Sequence, residues 1–283
     1  FEDKDTFNDD IGNWDVSSVT DMGYMISSAS SFNQDLNDWD VSSVTTMSQM
    51  FKYATSFNGD ISTWDVSSVT GMYEMFFDAY VFNSDISGWD VSSVTNMRAT
   101  FEDCQVFNAD ISDWDVSNVT NMLGTFIRTY DFNQDISGWD VSSVTNMQYL
   151  FYDATSFNQD ISGWDISNVT NMYQMFVNPD ALSDTNKCAI HTAFSSNANW
   201  PYDWSGSCGS SGCTDQYADN YDAGATIDDG SCSGYPDNGE YSLSFDGVDD
   251  YVVVSDDQSL NPTSAISISY WVKIPTNSSV ARF

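Results

Sequence analysis

Positive charge is what this 283-residue sequence most lacks: 7 Lys and Arg stand against 42 Asp and Glu, a formal net charge of −35. Nucleic acid and anionic membrane surfaces repel such a chain, so neither is an expected partner. One histidine, His191, leaves little material for a histidine base. No run of eighteen apolar residues occurs, so no helical membrane span is expected. What is abundant excludes a disordered tail, because 41% of the residues are hydrophobic and 15% aromatic. The acidity suits solubility in a salty medium, divalent cations or cationic surfaces.

The sequence repeats itself. Trp14, Trp39, Trp64, Trp89, Trp114, Trp139 and Trp164 are spaced by 25 without insertion or deletion, and Phe7 through Phe157 keep the same step. Within one copy the fixed apolar positions are Phe132, Ile136, Trp139, Val141, Val144, Met147, Leu150 and Phe151, with Ala154 as a small member. These read as core. Their burial cannot offset the entropy of ordering 25 residues in isolation, so copies must stack into a solenoid in which each position forms a ladder.

A strand is expected at QDIS or WDV, with Gly138 in a turn between Ile136 and Trp139, and a short helical turn at Met147 to Phe151. Positions that change between copies, such as Gln134, Gln148 and Tyr149, are expected to face solvent. The segment after the second Phe (YDATS, EDCQV, IRTYD) also varies and reads as a loop. Phe1 aligns with Phe51, Phe101 and Phe151, so the chain is expected to start in mid-repeat and to continue upstream.

After Val177 the period is lost. Ser183 or Asp184 suits the N-cap of a short helix carrying Cys188, Ile190, His191 and Phe194. This segment, 178–208, is expected to cap the last coil with Trp200, Tyr202 and Trp204, closed by Cys188 with Cys208. Residues 209–233 form a cysteine-bounded acidic module in which a Cys213 to Cys232 bridge replaces a core. Paired cysteines point to an extracellular or cell-surface location. Cys104 stands in the file of Ala29, Ala54, Ala79 and Ala154 and is expected to be buried and free. A linker, 234–240, leads to strand-like runs in 241–283, too short to complete a sandwich and expected to continue beyond Phe283.

The FNxDISxWDVSSVTNMxxMF repeats resemble the BspA-like leucine-rich-repeat surface proteins. That resemblance implies a right-handed solenoid on a cell surface, associated with attachment. Residues 212–232 are similar to thrombospondin type 3 calcium repeats, and FDGVDDYV within 241–283 resembles the opening of laminin-G-like, concanavalin-A-type jelly rolls. The fold expected is thus mainly β: a right-handed leucine-rich-repeat-like solenoid of about seven 25-residue coils over 1–177, a helical, disulfide-closed cap, and the beginning of a β-sandwich.

Candidate chemistry is sparse. The repeated aspartates, Asp10 through Asp160 and Asp15 through Asp165, are expected to accept backbone N–H groups in Asx turns, with calcium as the alternative. The Asn8 through Asn158 file is expected to form an inward ladder. Asp215, Asn220, Asp222, Asp228 and Asp229 are the candidate calcium ligands. The Trp file is either core or an exposed sugar platform, and its constancy among copies favours core. No nucleophile, base or metal triad assembles, so no enzyme is expected. The function expected is adhesion to a cell-surface glycan or protein, with two rivals: a self-associating surface layer, sheath or filament, and an accessory region of a secreted glycan-degrading enzyme.

Overall fold

Apolar residues spaced three apart set the path of each copy. In the computed structural model, which describes residues 1–233 except Tyr217 and Asp229, these residues begin and end tight turns. The N–H groups of Trp139, Val144, Leu150, Ala154 and Phe157 donate to the carbonyls of Ile136, Val141, Met147, Phe151 and Ala154. Each turn leaves both of its apolar ends on the inner side, and Ile136, Val141, Val144, Met147 and Leu150 are almost fully buried. Polar corners lie between them, fixed by Asx bonds of the Asp135 carboxylate to Ser137 N–H (3.0 Å) and the Asp140 carboxylate to Ser142 N–H (3.0 Å).

Successive copies pair in parallel at one-repeat offsets. Bridges link Asp21 to Thr46, Thr46 to Gly71 and onward to Asn171. In one copy, Met147, Tyr149, Phe151 and Asp153 donate backbone N–H groups to the carbonyls of Asn171, Tyr173, Met175 and Val177. Two short strands are regular enough to name: β1, Phe151–Tyr152, pairs parallel with β2, Phe176–Val177. The pairing segment therefore differs from the expected one. QDIS and WDV form turns, and the inter-copy ladder runs along the VTNMQYLFYD side.

The same segment is not helical. Tyr149 and Asp153 have φ of +58° and +54°, and every copy places two such residues four apart, as in Gln49 and Tyr53 or Glu74 and Asp78. This left-handed step every fourth residue turns alternate N–H groups toward the next copy, where a helix would keep them internal.

Inside, the apolar positions form continuous ladders. Phe32, Phe57, Phe82, Phe107, Phe132 and Phe157 stack at centroid distances of 5.9–6.1 Å. A second file, Phe51 through Phe176, stacks beside it at 5.4–5.9 Å. Tryptophans from Trp39 to Trp164 are buried, and each indole N–H donates to a carbonyl of the preceding copy, as Trp89 does to Ile61 at 3.1 Å. The Trp file is core, not a platform.

The last copy is closed by side chains standing in for a further coil. Tyr202 Oη accepts from Phe176 N–H (2.7 Å) and donates to Phe176 C=O (2.5 Å). Asn197 donates to the carbonyls of Ile166 (2.8 Å) and Val169 (3.1 Å). Helix α1, Asp184–Phe194, starts at an N-cap Ser183 whose side chain accepts from Asn186 N–H. Its apolar residues Ile190 and Phe194 join the core, with Trp200 and Trp204 packed over Phe176. A single 3-10 turn, Ser205–Cys208, brings Cys208 to Cys188, and these two are bonded. Beyond it β3, Ser210–Gly212, pairs parallel with β4, Ala225–Asp228, and Cys213 is bonded to Cys232. The expected linker 234–240 and the jelly-roll start 241–283 lie outside the described residues. Among the described residues no helix is long and apolar enough to cross a membrane.

Candidate binding face

The two left-handed residues of each copy and the residue before each hold the same four positions along the pairing segment, some exposed, as Tyr53 is, and some buried, as Glu74 and Asp103 are. In one copy they are Ser48, Gln49, Lys52 and Tyr53; one repeat later they are Tyr73, Glu74, Phe77 and Asp78, then Arg98, Ala99, Glu102 and Asp103. Because equivalent residues stack from copy to copy, these positions form one band along the pairing segment. Here the identities change, whereas the aspartate of each Asx-turn corner is kept.

Two charge clusters lie on the band. Lys52 is bonded to the Glu74 carboxylate, Gln49 Nε2 donates to the same oxygen at 2.9 Å, and Arg98 approaches the other at 3.9 Å. Burial pushes the Glu74 carboxyl up, but hydrogen bonds from Lys52, Tyr73 and Gln49 outweigh it and hold the group below its ordinary range. In the second cluster Arg128 donates two N–H groups to Asp103 and a third at 3.3 Å to Glu102. Burial, then the Asp103 charge, pushes Asp78 to about 6. Burial likewise raises Glu102 to about 7 against the pull of Arg128.

Aromatic rings fill the rest. Lys52 Nζ lies 5.2 Å from the Tyr53 ring and 4.8 Å from the Phe77 ring, and the Arg98 guanidinium lies 4.9 Å from Tyr73. Further along, Tyr149 meets Tyr152 and Tyr173 edge-on, both at 5.8 Å. An open pocket of about 270 Å³ sits there, lined by Ile127, Arg128, Tyr149, Tyr152 and Gln174. A larger groove, about 520 Å³, lies between the last copy and the cap. Its amides Asn197 and Asn199 are spent on the Ile166 and Val169 carbonyls.

The residues singled out in the sequence fare unevenly. Tyr149 belongs to the pocket and Gln148 lies beside it, accepting from Asn171 Nδ2 at 2.8 Å. Gln134 is half-buried, and its amide donates to the Asn108 carbonyl (2.8 Å) and side-chain oxygen (3.0 Å). The Asn file is a ladder, but an outer one: Asn33 N–H donates to Asn8 Oδ1, and so on up to Ser183 N–H on Asn158 Oδ1. Both Asp files make the Asx turns, as Asp15 does to Ser17 and Asp85 to Ser87. Cys104 is buried and free, its thiol directed at the Phe76 carbonyl. His191 accepts from Trp200 Nε1 at 3.3 Å, a packing role in the cap.

In the cysteine-bounded module, Asn220 Oδ1 accepts from Ser233 N–H and Asp222 Oδ1 from Gly224 N–H, both at 2.8 Å. Asp228 lies in β4 opposite Gly212, Asp215 sits near the start of the module, and Asp229 lies outside the described residues. Among the described residues, no three His, Cys, Asp or Glu side chains converge as a metal site. Arg128, Asp78, Glu102 and Tyr152 were not singled out, because they fall in the stretch taken for a loop. The available signal is that this stretch holds basic residues, Lys52 and Arg128, in a chain that has few.

A family model described as "Mycoplasma protein of unknown function, DUF285" matches residues 1–89 and again 73–188, more than half of the chain. The chain belongs to the DUF285 family. BspA-like repeat proteins carry DUF285, which agrees with the resemblance of the repeats. The DUF285 match ends within α1 and so includes the band and the first part of the cap. No curated protein and no solved structure matches the chain. Two disulfides in this DUF285 protein are compatible with an extracellular location.

Proposed function

We propose that this protein is a non-catalytic, extracellular recognition protein whose repeats form a right-handed, leucine-rich-repeat-like solenoid and bind a cell-surface glycan or protein through the variable band. One observation carries the reading: along the band, aromatic rings and charged side chains change identity from copy to copy and contact one another in ion pairs and cation–π pairs, while most other turns of each copy are spent on repeating Asx bonds and ladders. Scaffold positions that only hold copies together have no reason to differ from copy to copy in this way. The downstream parts of the reading are a thrombospondin type 3-like module that takes calcium and a laminin-G-like lectin domain. Their support is sequence resemblance, together with the Cys213 to Cys232 bridge for the module.

The test is retention of the protein on a glycan array and on intact cells. Binding should fall in Tyr149→Ala and Tyr173→Ala and stay unchanged in Ser143→Ala, off the band. Sedimentation of dilute protein separates this from a layer-forming role, which requires polymers. Calcium is tested by melting with and without chelator; an unchanged transition of the module removes it from the reading.

A further inference from the structure

The band already shows what its aromatic rings hold. Tyr53 and Phe77 meet at 82° with centroids 5.4 Å apart, and the ammonium of Lys52 lies against both rings. Arg98 lies over Tyr73 in the same manner. Three copies further on, Tyr149 and Tyr152 meet at the same 82° with centroids 5.8 Å apart, and Tyr173 adds a third ring at 72° to Tyr149. Among the described residues no cation lies over these three rings. The position equivalent to Lys52 is Tyr152 itself, and the one equivalent to Arg98 is Gln148. The nearest basic group, Arg128, is engaged by Asp103 and Glu102, so its charge is compensated within the chain.

We propose that the Tyr149, Tyr152 and Tyr173 corner is a receptor for a cationic side chain, an arginine or lysine presented by a basic protein partner. The proposal rests on the band being a recognition surface and names what it recognises. Perpendicular rings build the walls of a cage, which suits a compact cation, whereas a sugar ring stacks on one flat face. The pocket beside Tyr149 and Tyr152, about 270 Å³, is lined also by Ile127, Arg128 and Gln174, with Tyr173 at its margin through Tyr149 only, and it accommodates a single side chain rather than an extended chain of sugars. A net charge of −35 draws cationic partners in and keeps anionic ones away.

The test is calorimetric titration of the whole chain with the peptides acetyl-Gly-Arg-Gly-amide and acetyl-Gly-Gln-Gly-amide at physiological salt. The arginine peptide should bind a single saturable site and the glutamine peptide should not. Removing two rings in Tyr149→Ala/Tyr173→Ala should weaken binding roughly tenfold, while Asp15→Asn, a remote loss of charge, should leave it intact. Equal binding by wild type and the double Ala variant would reduce the effect to diffuse attraction and overturn the proposal. Binding of a neutral disaccharide such as maltose at the corner, with no response to the arginine peptide, would also overturn it while sparing the recognition reading. Loss of cell binding in the variants without any peptide binding would have that same meaning.

Discussion

Trp89 shows what one repeated letter does. Its ring stacks at 6.0 Å on Trp64 and 6.3 Å on Trp114, and its indole N–H bonds the Ile61 carbonyl of the preceding copy. Trp89→Phe removes ring volume and one of the two donors at that carbonyl, the other being Trp64 N–H. The expected loss is about 2–3 kcal/mol, from the cavity more than from the hydrogen bond, read as a lower denaturant midpoint. Asp78 behaves in the opposite way. Burial and the Asp103 charge hold its carboxyl near 6, so its ionisation at neutral pH opposes folding. Asp78→Asn keeps the shape, removes the charge and retains a residue type that accepts the φ of +59°. It should raise the melting temperature at pH 8, by an amount that shrinks towards pH 4, where wild-type Asp78 is protonated.

Elements join these residues into coils, and here the sequence was partly misleading. Apolar spacing located the core: from the second copy on, the Phe, Ile, Trp, Val and Met positions are buried, while Trp14 of the first is exposed. It misplaced the pairing segment because Met147, Leu150 and Phe151 have a spacing that a helical turn shares with consecutive tight turns. The decisive feature, φ above zero at two residues per copy, falls first on Gln49, Glu74, Ala99 or Tyr149, types that give no sign of it, with glycine in that place at Gly124; the second place is held at Asp78, Asp103, Asp153 and Asn178 by types that accept the conformation. The variable band is hidden for the same reason, since Arg128, Tyr152 and Asp78 belong to the segment whose path the spacing does not reveal. The cap was more legible, because a Ser N-cap, paired cysteines and clustered aromatics each have a local cause. Tyr202 was assigned there for its apolar bulk, yet its hydroxyl also completes both backbone groups of Phe176. Tyr202→Phe keeps the ring and strands those groups, which should cost about 1–3 kcal/mol. Faster amide exchange at Phe176, with little change in the central coils, is the measurement that checks it.

At the scale of the whole molecule, two sets of acids pull stability in opposite directions with pH. The outer Asx-turn carboxylates Asp15, Asp40, Asp90, Asp140 and Asp165 are held below their ordinary range by bonds from the Ser two residues on. Their stabilisation is present above the unfolded value near 3.8 and is lost as pH falls through their folded values. Asp78 and Glu102 are raised to about 6 and about 7. Their favourable contribution is complete below the unfolded range near 4 and disappears as pH rises through those two values. Mutual repulsion among 42 acidic residues adds to the second trend, because it grows with every deprotonation. Stability should therefore peak at mildly acidic pH, between about 4 and 6, and decline on both sides. Salt separates the contributions on the alkaline side. Added NaCl screens the diffuse repulsion and should raise the melting temperature at pH 8, while the burial-driven penalty at Asp78 and Glu102 persists. Melting curves of wild type and Asp78→Asn across pH 3 to 9, at low and high salt, decide the matter. A Tm that rises steadily from pH 4 to pH 8 at both salt concentrations would show that the buried carboxyl cluster on the band is not ionised against resistance.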